Sequence, residues 1–364
     1  MRRIAACMGA LTSFLFMFIG PRSCLLVLTL LVYGAASARP RPQTQAAPGR
    51  MLLDVVVTTK SGAPAHGLQQ QDFTLSDNRL KQTIDSFQEV DGRQAPIDVI
   101  IVIDAVNGGY STVGFEREQI DKVLRADQGK LVHPVSLAVL TDTNLQIVEG
   151  LSSDGNALST ALDQYASGLR SFRSSGGFFE AYQVFDISLR GLQDLIDRES
   201  ARSSGDRTRK IIVWLSPGWP LLSGPNIEID AKQQESFFGQ IIDFSNHFWQ
   251  DNVTLYGVDP SGTANPSHTF FWRNFLKGVS KPSQVQAGDL ALEVLATQSG
   301  GIALNSSNDI AAQLQKCFAD LGSYYQLSFD PPHADKPNEY HQIEIHIAKP
   351  GLSARTRQGY YSQP

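Results

Sequence analysis

The amino-acid sequence predicts an α/β fold: a central, mostly parallel sheet flanked by helices, inserted in a small antiparallel β module formed by both chain ends. Three observations carry that reading. Ile97-Asp98-Val99-Ile100-Ile101-Val102-Ile103 and Ile211-Ile212-Val213-Trp214-Leu215 are nearly unbroken apolar runs, as strands buried on both faces must be. Between and after them, strand patterns alternate with amphipathic helical patterns, the rhythm of parallel strands joined by crossovers. At both ends of the chain apolar and polar residues alternate in twos instead, as in half-buried antiparallel strands.

Residues 1–38 stand apart. Arg2 and Arg3, the apolar stretches 4–20 and 24–33, and the small residues Ala36-Ser37-Ala38 have the order of a secretory signal peptide, with a retained membrane anchor as the alternative. Residues 39–50 are Pro-rich and polar and read as a flexible linker. Within 51–92, residues 53–58, 72–76 and 82–89 read as strands, punctuated by turns at Lys60-Ser61-Gly62-Ala63 and Asp77-Asn78.

Residues 93–322 carry the α/β pattern. The first strand ends in Asp104, and a helix over 116–125 turns Ile120, Val123 and Leu124 inward. Strands 135–140 and 145–149 pair across Asp142-Thr143-Asn144, after which Ser153 or Asp154 caps a helix bearing Leu158, Leu162 and Tyr165. The loop Ser174-Ser175-Gly176-Gly177 leads into a long helix over 179–199, with Phe185, Leu189, Leu192 and Ile196 on one face. A second buried strand over 210–215 ends in Ser216-Pro217-Gly218. Helices over 231–251, 290–298 and 310–321 then alternate with strands over 253–259 and 301–305. The polar stretch 260–288, with Phe270-Phe271-Trp272 embedded, reads as a long surface insertion. Within 323–364, strands over 324–329 and 340–347 pair with those of 51–92, because a strand pair alone is marginal.

Composition excludes several function classes. The formal charge of -5 on 364 residues gives no basic footprint, so no nucleic-acid partner is expected, and no stretch after the leader is apolar enough to enter a membrane. Cleavage after residue 38 removes Cys7 and Cys24 and leaves Cys317, which shares a helical stripe with Leu314, Phe318 and Leu321 and reads as buried. None of the seven histidines makes a zinc spacing, and His341 and His346, on opposite faces of one strand, read as solvated surface. Neither a Gly-x-Ser-x-Gly elbow nor a phosphate-binding glycine loop occurs. Trp214 reads as core, whereas Trp219 and the 270–272 cluster either anchor a partner or cover the insertion's own small core.

The run ending in Asp104, the Ser175-Gly176-Gly177 loop before a helix, and Leu215-Ser216-Pro217-Gly218-Trp219-Pro220 resemble a von Willebrand factor type A domain, a Rossmann-like fold. The flanking Val55-Val56-Val57-Thr58, Gly67-Leu68, Asp72-Phe73, Tyr324-Tyr325-Gln326-Leu327 and Arg355-Thr356-Arg357-Gln358-Gly359-Tyr360-Tyr361 make the chain similar to von Willebrand A-related proteins of acidobacteria. That resemblance implies a metal-ion-dependent adhesion site, in which Asp104 takes the first ligand position. The rest is degenerate: Val106 and Gly108 stand at the two Ser positions, Phe178 where a Thr is expected, and Ser216-Pro217-Gly218 in place of Thr-Asp-Gly. Asp104 is then the one strong metal ligand, with Asn107, Ser111, Thr112, Ser175 and Ser216 as neutral substitutes, a poor set for Mg2+, which dehydrates reluctantly.

The functional expectation is an exported, non-enzymatic protein-interaction or adhesion protein of the periplasm, cell surface or medium. Asp104, Asn107, Ser111, Ser175, Ser216 and Trp219 form its binding edge. No cofactor is expected beyond a weakly held Mg2+ or other divalent cation, the partner is an unidentified protein, and the oligomeric state is open. An exported hydrolase, or a scaffold subunit of a cell-envelope complex, are the alternatives.

Overall fold

The computed structural model describes residues 50–108, 110–166, 178–202, 208–219, 229–262, 271–305 and 307–364. The leader read over 1–38, the linker up to residue 49 and the loop 174–177 with Ser175 lie outside the described residues. Among those described, no helix is long and apolar enough to cross a membrane.

The α/β part has a six-stranded sheet. Its strands are β5 (Ile97–Asp104), β6 (Lys130–Leu140), β7 (Leu145–Asp154), β8 (Arg209–Leu215), β9 (Val253–Val258) and the two-residue β10 (Ala303–Leu304). Their spatial order is β10-β9-β8-β5-β6-β7, so the chain starts in the middle of the sheet and winds outward in both directions. Every pairing is parallel except that of β6 with β7, a hairpin that closes one edge.

The period of two in β5 sorts its side chains onto both faces. Ile100 and Val102 join Ile212 and Trp214 under α3 (Phe178–Arg202), α4 (Ala231–Gln250) and α5 (Leu292–Gln298). Val99, Ile101 and Ile103 join Val213 and Leu215 under α1 (Tyr110–Leu124), α2 (Gly155–Ala166) and α6 (Ile310–Ala319). All eight residues of β5 are buried, as a strand covered on both sides requires. Asp154 caps α2, its carboxylate accepting from the backbone N–H of Asn156 and Ala157.

The chain ends build two four-stranded antiparallel sheets. One has the order β13-β1-β11-β4, from Leu352–Arg355, Met51–Thr59, Ser323–Phe329 and Ser86–Asp91. The other has the order β14-β12-β2-β3, from Gly359–Ser362, Glu339–Ile347, Phe73–Asp77 and Leu80–Gln82. Leu53, Val55, Leu75, Tyr325, Leu327 and Ile343 fill the space between them. Val56 and Tyr324, on the far face of the first sheet, pack instead into the α/β core beneath α1 and α6. Beside them Arg209 is buried with its Nε 3.3 Å from the Asp54 carboxylate, an ion pair without hydrogen-bond alignment, and its guanidinium lies over the Tyr324 ring.

Several sequence expectations change. The strand read over 82–89 is two strands, β3 and β4, broken at Thr83, Ile84 and Asp85, and β13 and β14 carry too few residues for a periodicity to show. The first helix starts at Tyr110 rather than 116. Over 271–288 the expected surface insertion is a run of short 3-10 turns that buries Trp272, Phe275, Val279 and Val285; residues 263–270 lie outside the described set. Trp272 and Phe275 cluster with Ala291 and Val294, so these aromatics cover a small core of their own. His341 is buried rather than solvated: its Nδ1 lies 2.9 Å from Asp77, whose other oxygen accepts from Tyr360, while His346 is exposed as expected.

The α/β part leaves the β module from β4 and returns to it through β11, and these two strands pair with each other. Its two ends therefore meet, and they do so at Gly92, whose N–H donates to the Gly322 carbonyl at 3.1 Å. A Cβ on Gly92 would lie 1.5 Å from the Leu321 carbonyl oxygen. Gly92→Ala is predicted to destabilise the chain by about 3 kcal/mol or more, read as a lower urea midpoint at unchanged slope.

Candidate functional site

Ligand sites in open α/β sheets lie outside the carboxyl ends of the strands where the winding direction reverses, which here is between β5 and β8. Asp104 ends β5 and Ser216 follows β8, so the topology brings both to that point. Asp104 has no exposed surface. One carboxylate oxygen accepts from the backbone N–H of Val106 at 3.2 Å and of Asn107 at 2.9 Å. The other accepts from the Asn107 side-chain amide at 2.8 Å and the Trp214 indole at 3.1 Å. Burial holds the Asp104 pKa above the usual aspartate value, opposed by the Asn107 backbone N–H, the Trp214 indole, the Asn107 side chain and the Ser216 hydroxyl.

The other predicted residues divide clearly. Asn107 is half-buried, and its amide also donates to Ser188 Oγ on α3 at 2.8 Å, while its side-chain Oδ1 is buried with no hydrogen-bond partner among the described residues. Ser216 is buried, and its Oγ accepts from the Gly218 N–H at 3.3 Å. Trp219, expected as a partner anchor, is buried edge-on against Phe185 and Trp214 and offers nothing to a surface. The Ser111 and Thr112 side chains and all of Ser175 lie outside the described residues.

A hard divalent cation needs about six oxygens in near-octahedral array. At Asp104 four N–H groups point at the carboxylate instead, and Val106 and Gly108 bring no side-chain oxygen. The described residues do not fit an ion there. Among the described residues no group of three or more His, Cys, Asp or Glu is arranged to hold a metal.

Sequence reading missed two residues of this edge. Trp214 is core, but its indole N–H is also a ligand of Asp104, a contact between positions 110 apart that no local pattern reveals. Glu116 is fully buried on α1, and among the described residues neither of its carboxylate oxygens has a hydrogen-bond partner. That position was legible, since Glu116 precedes the inward-facing Ile120 and Val123 by one and two helical turns. Burial first, then Asp104 and Asp259, hold the Glu116 pKa well above the usual glutamate value. Nearby, Glu293 is raised to about 7, mainly by burial and further by Asp259, and its Oε1 sits where a Cβ on Gly218, at φ +96°, would press to 3.1 Å.

No family model matches the chain, and no curated protein matches it. Solved structures similar to it include the VWA domain of SpRpn10, at 14% identity and TM-score 0.31 over 60% of this chain and 95% of that one. The manganese-loaded TRAP protein of Plasmodium vivax is similar at 10% identity and TM-score 0.33, over 78% of this chain and 100% of that one. The pilus adhesin SpaC of Lactobacillus rhamnosus GG is similar at 10% identity and TM-score 0.34, over 84% of this chain and 43% of the adhesin. Likenesses at this level add nothing to the strand order and helix layers described above.

Two outcomes follow from the buried carboxylates. Trp214→Phe keeps an aromatic ring but removes both the N–H to Asp104 and part of the volume that the buried indole fills, and is predicted to cost about 2–5 kcal/mol in chemical denaturation. Glu116 binds its proton more tightly folded than unfolded, so its contribution is full below the ordinary glutamate pKa of 4.5 and is lost as pH rises through the raised folded value. Glu116→Met is therefore predicted to stabilise the chain near pH 8 and to lose that advantage toward pH 4, read from denaturation curves at roughly those two values.

Proposed function

We propose that this chain is an exported, non-enzymatic binding protein that engages a protein partner through the C-terminal edge of its α/β sheet, without a metal bridge. Asp104 carries the reading. The carboxylate that a metal bridge or acid-base chemistry would need is spent on shaping the 104–108 turn and tying it to α3 and β8. Binding residues collect on loops held by such a scaffold. Beside that turn, Asp142, Thr143 and Asn144 are exposed between β6 and β7, and Asn308 and Asp309 are exposed before α6, giving an edge of carboxylates, amides and hydroxyls. The basic, apolar and small-residue order of 1–38 supports export to the periplasm, cell surface or medium.

Two measurements test this. Calorimetric titration of Mg2+, Mn2+ and Ca2+ is expected to show the same absence of tight binding in wild type and Asp104→Ala; one ion bound by wild type alone overturns the metal-free reading. A photo-crosslinker at Thr143 is expected to capture a discrete partner from envelope extract, competed by excess unmodified chain but not by an Asp142→Lys/Asn144→Lys variant. Equal capture from Gln128, at the opposite end of the sheet, overturns the edge assignment. Turnover of a peptide or ester that is lost in Asp104→Ala favours a hydrolase instead.

A further inference from the structure

At the opposite end of the α/β sheet from Asp104, a half-open cavity of about 350 Å3 lies between the start of β6, the end of α1 and the end of α6. Its walls are apolar: Val99 and Val135 from the sheet, Val123 from α1, and Phe318 and Leu321 from α6 and its exit. Its size falls at the lower end of small-ligand sites, about 300–1,000 Å3, and it lies beside the Gly92–Gly322 contact. Val132, one of its lining residues, is 66% exposed and stands at its rim.

The polar groups on this cavity are chiefly cationic. Lys130 and Arg93 line it against one carboxylate, Asp127. Lys130 has no ion-pair partner among the described residues, and Arg93 reaches only the exposed Asp91, at 3.5 Å, a pairing of little strength in water. His133, also lining it, has no hydrogen bond among the described residues; burial and the charge of Arg209 lower its pKa, which leaves a neutral imidazole able to donate or accept. The backbone below is unusual as well. Asp127 and Gln128 both have positive φ, at 48° and 62°, and this left-handed turn takes the chain from α1 around the cavity into Lys130.

We propose that this cavity binds a small amphipathic carboxylate, a free acid with a short to medium apolar tail. The tail lies among Val99, Val123, Val135, Phe318 and Leu321, and the carboxylate is received by Lys130 and Arg93. Apolar walls alone would take any greasy molecule; the excess of cations at the mouth selects the anion. The site is independent of the partner-binding edge proposed above.

Octanoate, octan-1-ol and the octyltrimethylammonium ion, titrated calorimetrically into the full chain, separate tail from charge. Octanoate is expected to bind at one site, with the cationic analogue at least about tenfold weaker. Ala126→Trp and Val132→Trp, both at exposed lining positions, are expected to abolish octanoate binding while leaving the thermal midpoint within a few degrees of wild type. Lys130→Glu/Arg93→Glu is expected to weaken octanoate about tenfold or more and to favour the cation. Octanol binding as well as octanoate, octanoate binding that survives both Trp variants, or no octanoate binding at millimolar concentration would each overturn the proposal.

Discussion

A carboxylate withdrawn from water must be met by donors, and the C-terminal edge of the α/β sheet is arranged around that requirement at Asp104. Meeting it recruits three parts of the fold. The backbone after β5 turns so that two N–H groups face the carboxylate, the Asn107 side chain reaches back to it and across to α3, and β8 contributes the indole N–H of a core tryptophan. Glu116 shows the same problem solved in the opposite way. Among the described residues no donor comes to it, and burial beside Asp104 and Asp259 favours its protonated form. Burial raises both carboxyls on this edge, and it raises Glu116 the further because the donors that oppose it at Asp104 are missing there while Asp104 and Asp259 add to it.

The fold was largely legible because its central elements are extreme. β5 and β8 are buried along their whole length and say so in nearly continuous apolar runs, and α3 shows its face through Phe185, Leu189, Leu192 and Ile196. What escaped was short or non-local. β13 and β14 have four residues each, too few for alternation to declare itself. The turns over 271–288 bury aromatics without any period, since each packs against a different neighbour. His341 looked solvated because its partner, Asp77, lies 264 positions away in sequence.

The candidate site was legible in its anchor and not in its chemistry. The end of a buried strand at an aspartate placed Asp104 at the point where the winding reverses. Which groups fill its lone pairs depends on α3 and β8, which local sequence cannot align with it. Trp219 follows from the same limit. A tryptophan after a strand-ending turn reads as loop, yet it folds back edge-on against Trp214.

The position of β1 has a consequence for how the molecule must be made. Both of its edges are paired with strands from the far end of the chain, β11 and β13, in registers such as Leu53 with Leu327 and Val57 with Ala354. Until those residues arrive, β1 is an apolar strand with two bare edges, the kind of segment that pairs with other chains. The contiguous α/β part has no such wait, since its strands pair among themselves. Closing the β module requires bringing together the two ends of a long loop, and such non-local pairing is slow. A chain released before β11 would carry a folded centre and a sticky beginning, so its characteristic failure is aggregation through β1 rather than loss of the α/β core.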